Sequence, residues 1–467
     1  MSQERPPATT LDADLAVIGF GKGGKTLAAT LARRGSRVVM IEQSARMYGG
    51  TCINIGCVPT KALVHEAQTP DAALDDEARY ARAVGRTADL TSLLRGKNFA
   101  MLDALDTVTV VTGRARFTDP HTLEVRAGDD TLRVTAATVV INTGADPVLP
   151  DVPGLRESAH VVTSTQLLER ERRPERLVVL GGGYVAVEFA SMHAAFGARV
   201  TVVARGPRLL RGEDPDVAAE ATAILADADV EVLTDAAVTR VRDDGAEAVV
   251  AYHDAAGPDG EVRGDVVLAA LGRAPHTADL DLAAAGVDTD ARGAVVVDEH
   301  LRTSQAHVFA VGDVNGGPQF TYVSLDDFRI VLDQLVGDGR RSTADRRAVA
   351  SAVFMTPPLA RVGLTETEAR ATGRRLRVAT RRVADMATVP RARIVHDTRG
   401  LMKAVVDADT DEVLGVTMLS HDAHETINTV ALAMRLGATA SQLRDEIYTH
   451  LSMTEALNDL FGALPPA

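Results

Sequence analysis

Cysteine is almost absent from this sequence: 467 residues contain two, Cys52 and Cys57, five positions apart. That scarcity excludes a disulfide scaffold for a chain of this size, and any four-cysteine zinc or iron–sulfur site. Long apolar runs are missing too, and none approaches the roughly 18 uninterrupted apolar residues of a membrane span. Basic charge is in the minority, with 50 Lys and Arg against 64 Asp and Glu and a formal net charge of -14. An acidic chain disfavours polyanions, so nucleic acid and anionic membrane are not expected as main partners. The first 14 residues are polar and carry proline, with no basic segment followed by an apolar stretch. No secretory signal is therefore expected, and the cytoplasm is the expected location.

What is present suits a sizeable globular chain. At roughly 150 residues per domain the length allows about three domains, and a 46% hydrophobic fraction fits a globular class. An apolar run at 14–20 leads into glycines, a helical stretch through residue 34 and a second apolar run at 37–43. The pattern recurs at 176–180, through Gly181-Gly182-Gly183, a helical stretch to residue 196 and a strand at 199–204. Gly19 and Glu42 are 23 positions apart, as are Gly181 and Ala204. Two βαβ units at matched spacing predict two Rossmann-like dinucleotide-binding domains in an α/β chain. Composition breaks at 147–174 and 337–347, and short β-like runs between 230 and 267 predict hairpins. The last 120 residues mix strand-like runs at 401–406 and 413–419 with a helical stretch at 425–436, which predicts a third, α+β domain.

Gly19-Phe20-Gly21-Lys22-Gly23-Gly24 is a G-x-G-x-x-G turn between strand and helix, and Glu42 ends the next strand. Gly19, Gly21 and Gly24 would let backbone amides approach a pyrophosphate while Glu42 accepts ribose hydroxyls. In the second unit Gly181, Gly183 and Ala186 form G-x-G-x-x-A, and Ala204 stands where Glu42 stands in the first. Arg205, Arg208 and Arg211 follow. Loss of the carboxylate and gain of guanidinium groups is what a 2′-phosphate requires, so NADPH is expected over NADH.

The cysteines come shortly after Glu42, beside the first nucleotide turn. Along a regular helix, five residues rise about 7.5 Å, beyond the roughly 7 Å a relaxed disulfide tolerates between Cα atoms. Gly56 and Pro59 can break that regularity and fold the segment into a turn entering a helix, where a thiol pKa should be lowered. A redox pair, a metal half-site and two inert thiols all remain open; His65 is the only nearby histidine.

Gly49-Gly50-Thr51-Cys52-Ile53-Asn54-Ile55-Gly56-Cys57-Val58-Pro59-Thr60-Lys61 resembles the redox motif of the FAD-dependent pyridine nucleotide–disulfide oxidoreductases, which include glutathione reductase, lipoamide dehydrogenase and mercuric reductase. The resemblance covers nearly the whole chain. Thr143-Gly144 is similar to the family's mid-chain strand-end motif, and Val308-Phe309-Ala310-Val311-Gly312-Asp313 to its second flavin motif. Phe354-Met355-Thr356-Pro357-Pro358, the run Thr321 to Asp327 and the run Ser452 to Phe461 look most like a branch that reduces Cu(II) under reactive-chlorine stress.

The resemblance implies a layout of 1–154 and 275–345 for the FAD-binding domain, 155–274 for the NADPH-binding domain and 346–467 for a dimerisation domain. It implies FAD contacts at Gly50, Thr51, Thr143, Gly144 and Asp313, and nucleotide contacts at Gly181, Gly183, Arg205, Arg211 and Gly272, with Tyr184 as a gate. Cys57 would face the flavin and Cys52 would be the outward nucleophile or, with Cys57, bind soft metal. Lys61 and Glu188 match an ion pair near the flavin. His450 and Glu455 match an acid–base pair supplied by the partner subunit of a homodimer. Leu451 follows His450 where these enzymes usually carry proline, often cis; a non-proline cis bond costs about 2.5–4 kcal/mol, so the local backbone is expected to differ.

The acceptor implied is Cu(II), with Met386, Met402, Met418, His421 and His424 as assisting groups that more simply read as core and surface. A small disulfide of glutathione, mycothiol or lipoamide type is the alternative acceptor, and a flavin-bound redox sensor the alternative class. Mercuric reductase is disfavoured, because a chain with two cysteines has no C-terminal pair.

Overall fold

Val38–Glu42 is buried along its whole length, as a parallel strand covered on both faces requires. In the computed structural model, which describes residues 9–69, 71–255, 257–386 and 389–466, it closes the first βαβ unit. Thr9–Ile18 leads through the helix Lys22–Ala32 into Val38–Glu42, with Ile18 paired parallel to Ile41. Residues 1–8, on which much of the N-terminal expectation rests, lie outside the described residues.

The described residues divide into two units. The first comprises 1–62, 84–148 and 273–345. Its sheet adds Val108–Thr112 beyond Val38–Glu42 and Asp130–Ile141 beside Thr9–Ile18, all parallel, and Val308–Ala310 pairs the end of Asp130–Ile141. The remainder of Asp130–Ile141 carries an antiparallel ladder through Thr122–Ala127 to Arg114–Asp119. Ile18 and Ile141 are register partners, so the glycine turn and the Asn142-Thr143-Gly144 segment leave the same edge of the sheet.

The second unit comprises 63–83, 149–272 and 346–467. Its parallel sheet runs Val230–Leu233, Arg199–Val203, Arg176–Leu180, Val266–Ala269 and Val161–Val162, with the helix Tyr184–Ala195 after Arg176–Leu180. The hairpins expected between 230 and 267 begin later, at Ala236–Asp244, because the apolar run at 230 joins the parallel sheet instead. The C-terminal part is an antiparallel sheet ordered Ser351–Val353, Leu359–Gly363, Val413–Leu419, Leu401–Asp407, Leu376–Arg382. The helix Ala423–Leu436 packs on it and ends at Gly437 in the left-handed region, φ 75°, the usual glycine stop. Met386, Met402 and Met418 are fully buried in this core; they fill space between the sheet and its helices. The α/β reading, with two Rossmann-like parts and a C-terminal α+β part, describes the molecule.

Candidate active site

Gly19 turns the chain out of its strand at φ +97°, and a Cβ there would lie 2.3 Å from Asn142 O. Only glycine fits such a position. Beyond it, the amides are already allotted. Phe20 N donates to Glu42 Oε2 at 2.9 Å, Gly23 N to Ser324 Oγ at 3.1 Å and Gly24 N to Asn142 Oδ1 at 2.9 Å. The amides of Gly21 and Lys22 are left without a partner among the described residues. Glu42 is 6% exposed; burial pushes its carboxyl pKa up, against the amides of Phe20 and Ser44. A buried carboxylate and two free amides at a helix N-terminus suit the ribose and pyrophosphate of a dinucleotide. Asn142 also donates to Val311 O at 2.7 Å, so one amide side chain ties helix, strand end and the run from Val308 to Asp313 together.

The cysteine segment rests on this turn. Gly50 has φ +77°, and a Cβ on it would lie 2.7 Å from Gly21 Cα. Thr51–Asn54 forms a short helix, Ile55 and Gly56 break it, and Cys57–Gln68 starts anew, the interruption expected from the glycine. Asn54 holds the turn shut through Tyr48 O at 3.0 Å and Gly50 O at 2.9 Å. Arg95 donates to Asn54 Oδ1 at 2.8 Å.

No disulfide joins the two cysteines, Cys52 half-buried and Cys57 exposed. The lowered pKa expected of the thiols is not what Cys52 has. Its pKa is raised, first by the hydrogen bond its thiol donates to Cys57 and then by burial, because a proton shared between adjacent thiols is hard to remove from both. Cys57 Sγ lies 3.6 Å from Thr321 Oγ1, at the start of the helix Thr321–Val336.

Asp313 starts inside the short helical turn Gly312–Asn315, whose Gly312 N donates to buried Asp327 at 2.6 Å. Burial raises the Asp313 pKa, Arg273 opposes this, and Asp327 adds to it. Burial lowers the pKa of Arg273, while the charges of Asp313, Asp146 and Cys57 all favour its protonated form. Thr143 Oγ1 donates to His276 O at 2.6 Å and Gly144 O accepts from His276 N at 3.0 Å. Asn142, Arg273 and Lys25 escaped the sequence reading; Thr321 lies in a run that the resemblance singles out, but not as a partner of Cys57. For Lys25 a signal existed, a lysine on a face that otherwise reads alanine and leucine.

The second unit repeats the turn. Gly181 has φ +123°, and its N–H meets Val203 O at 2.9 Å. Gly183 caps the helix that begins with Tyr184. Tyr184 donates to Glu213 Oε1 at 2.9 Å, and Arg361 Nε stands 3.1 Å from Glu213 Oε2. Ala204 is buried, Arg205 and Arg211 are exposed, and neither arginine has an ion-pair partner among the described residues. The Arg211 chain passes over Gly206, the residue after Arg205. Gly272 lies in the left-handed region at φ +115°. Glu188 is 6% exposed and accepts from Phe354 N at 2.8 Å; Lys61 is half-buried on the helix Cys57–Gln68.

His450 Nδ1 is 2.9 Å from Glu455 Oε1, and Ser452 N fixes the other carboxylate oxygen at 3.1 Å. Burial pushes the Glu455 carboxyl up, but the His450 hydrogen bond and the Ser452 amide outweigh it and hold the pKa low. With Nδ1 oriented by the carboxylate, Nε2 of a side chain that is 66% exposed is left for proton exchange. The His450–Leu451 peptide bond is cis, so the different backbone expected from leucine in place of proline is not found. His421 and His424 are half-buried beside Asp422 and Glu425. Among the described residues no cluster of three or more His, Cys, Asp or Glu could hold a metal ion, and no helix is long and apolar enough to cross a membrane.

The pyridine nucleotide-disulphide oxidoreductase family model matches residues 13–327, and the dimerisation domain of that family matches 349–461. The chain is 46% identical over 446 residues to the probable pyridine nucleotide-disulfide oxidoreductase RclA of Escherichia coli K12, covering 96% of this chain and 98% of that one. It is 36% identical to a mercuric reductase of Streptomyces lividans, covering 95% and 94%. Among solved structures, the Cu(II) complex of the HOCl-induced flavoprotein disulfide reductase RclA from Escherichia coli superposes with a TM-score of 0.91, covering 97% of this chain and 99% of that one.

Proposed function

Because the chain belongs to the pyridine nucleotide-disulphide oxidoreductase family, we propose that it is an NADPH-dependent flavoprotein that delivers electrons through Cys52 and Cys57 to Cu(II). The observation that carries the reading is the cysteine turn itself. The chain's two thiols are folded against the first dinucleotide turn, with Thr321 and the Arg273 charge beside Cys57. Bound FAD supplies the relay between a hydride donor and the cysteine pair.

The residues around it have separable tasks. The amides of Gly21 and Lys22 receive pyrophosphate, Glu42 and Asp313 hold the sugar and ribityl hydroxyls, and Gly50, Thr51, Thr143 and Gly144 shape the turn. Arg205 and Arg211 take the 2′-phosphate, Gly181, Gly183 and Gly272 admit the dinucleotide backbone, and Tyr184 gates its entry. Lys61 and Glu188 are the charged groups that the family resemblance assigns to the redox chemistry. The reduced pair gives up two electrons and two protons: two Cu(II) become two Cu(I) as Cys52 and Cys57 close a disulfide. Soft thiolates suit Cu(I), and the Cu(II) complex of the 46%-identical RclA supports the choice of acceptor. Domain boundaries follow the layout above, the proposed location is the cytoplasm, and the matched dimerisation domain, which exposes Leu432, Leu436, Ile447 and Leu451, supports a homodimer.

A second reading, reduction of a small disulfide, is favoured by one observation, the oriented His450–Glu455 pair, since a leaving thiolate needs a proton and Cu(II) does not. An anaerobic titration with NADPH and NADH, followed by Cu(II), glutathione disulfide and lipoamide, tests the proposal. Nucleotide oxidation fastest with Cu(II) supports it; faster turnover with a disulfide replaces it with the second reading. A chain that binds flavin but oxidises no nucleotide with any acceptor is a sensor.

A further inference from the structure

The helix Lys22–Ala32 buries one ionisable side chain among alanines and leucines: Lys25 is 5% exposed. A buried ammonium is costly without an anion, yet among the described residues Lys25 is held only by neutral oxygens, Gly49 O at 3.0 Å and Asn98 Oδ1. An ammonium has three donors, so one N–H is left without an acceptor among the described residues. Its position explains what is missing. Gly49 opens the cysteine turn, and the next residue, Gly50, rests on Gly21. The cation therefore lies behind the junction of two glycine turns, where the Gly21 and Lys22 amides are also without partners among the described residues.

We propose that Lys25 is the buried counter-charge of the flavin pyrophosphate, a role that rests on the functional reading above. The charged or titratable groups facing it are Lys22 on its own helix and Cys52 on the adjoining turn. Burial, then Lys22, pushes the Lys25 pKa down to about 8, with Cys52 opposing. An arriving pyrophosphate raises it again, so flavin binding takes up a proton in alkaline solution and weakens as pH rises past that value.

The test follows FAD release from diluted holoenzyme, read by flavin fluorescence, at neutral pH and about two units higher. The wild type is expected to release flavin several-fold faster at the higher pH. Lys25→Met should release it roughly tenfold faster than wild type at neutral pH, the weight of a charge-assisted contact, with no further change at high pH. Lys25→Arg, always charged, should hold flavin equally at both. Melting of each holoenzyme checks the fold; should the methionine variant not fold, the arginine variant and the wild-type pH difference decide alone. Equal release from wild type and Lys25→Met, or wild-type release independent of pH, overturns the proposal. A wild-type chain that neither carries nor takes up flavin overturns the functional reading itself.

Discussion

His193 has nowhere to put a second proton. It is 1% exposed, packed between the rings of Tyr80 and Phe189, and neither ring nitrogen has a hydrogen-bond partner among the described residues. Burial, with the Arg173 charge adding to it, lowers its pKa to about 3 from the ordinary 6.5. The unfolded chain therefore binds a proton that the folded one refuses. Stability is full above about pH 6.5 and falls as the pH drops toward 3, by about 3 kcal/mol at pH 4 from this group alone. His193→Phe should flatten that acid limb in urea titrations at a series of pH values; an unchanged slope would mean the ring is protonated when folded. The other informative histidine is exposed. His450→Ala should lower turnover with a small disulfide by roughly 100-fold and leave Cu(II) reduction nearly intact, because only the disulfide needs a proton for its leaving thiolate. Full disulfide turnover would remove His450 from the mechanism.

Between elements, Glu213 and Asp214 join the nucleotide-binding part of the second unit to its C-terminal sheet. Glu213 reaches Tyr184 on one side and Arg361 on the other, and Asp214 accepts the amides of Glu366 and Thr367 at 2.9 and 3.0 Å. Lys403, 3% exposed, neutralises Asp214, Asp216 and Glu366 at 3.4, 2.7 and 3.0 Å. Lys403→Met leaves three carboxylates facing one another and should cost about 3–5 kcal/mol, measured by chemical unfolding. Tyr184→Phe combined with Glu213→Gln should show a coupling of about 1–2 kcal/mol; strict additivity would mean the hydrogen bond is absent in solution. None of these contacts was legible in the sequence. The glycine turns were, because a strand, a tight turn and a helix leave a local record in spacing, and the break at Gly56 likewise. Asn142 reaches Gly24 across 118 positions and Thr321 reaches Cys57 across 264, and nothing local marks such partners. The helix Asp76–Asp103 and the antiparallel ladder that ends in Asp130–Ile141 also passed unread. The first mixes polar and apolar residues with little periodicity, and the ladder continues into a strand whose other end is parallel.

At the scale of the whole molecule, an acidic enzyme must bind two polyanionic cofactors. A formal net charge of -14 repels both at long range, so attraction has to come from local cations, and the two sites supply them differently. In the first, the charge is buried as Lys25 and screened little by salt. In the second, Arg205 and Arg211 are exposed and without ion-pair partners among the described residues, where salt screens within about 8–10 Å. The two cofactors should therefore respond differently to ionic strength. Flavin retention should be nearly constant between low and roughly 0.5 M salt, while the KM for NADPH rises several-fold. Arg205→Ala with Arg211→Ala should cut kcat/KM for NADPH by about 10–100-fold, the loss of two charge-assisted contacts, and change NADH less than twofold. The salt dependence should vanish with the arginines. Steady-state kinetics with both nucleotides at two salt concentrations reads all of this at once. Equal losses for NADPH and NADH would show that the arginines do not recognise the 2′-phosphate, and an NADH preference above tenfold in the wild type would reverse the assignment of the second site.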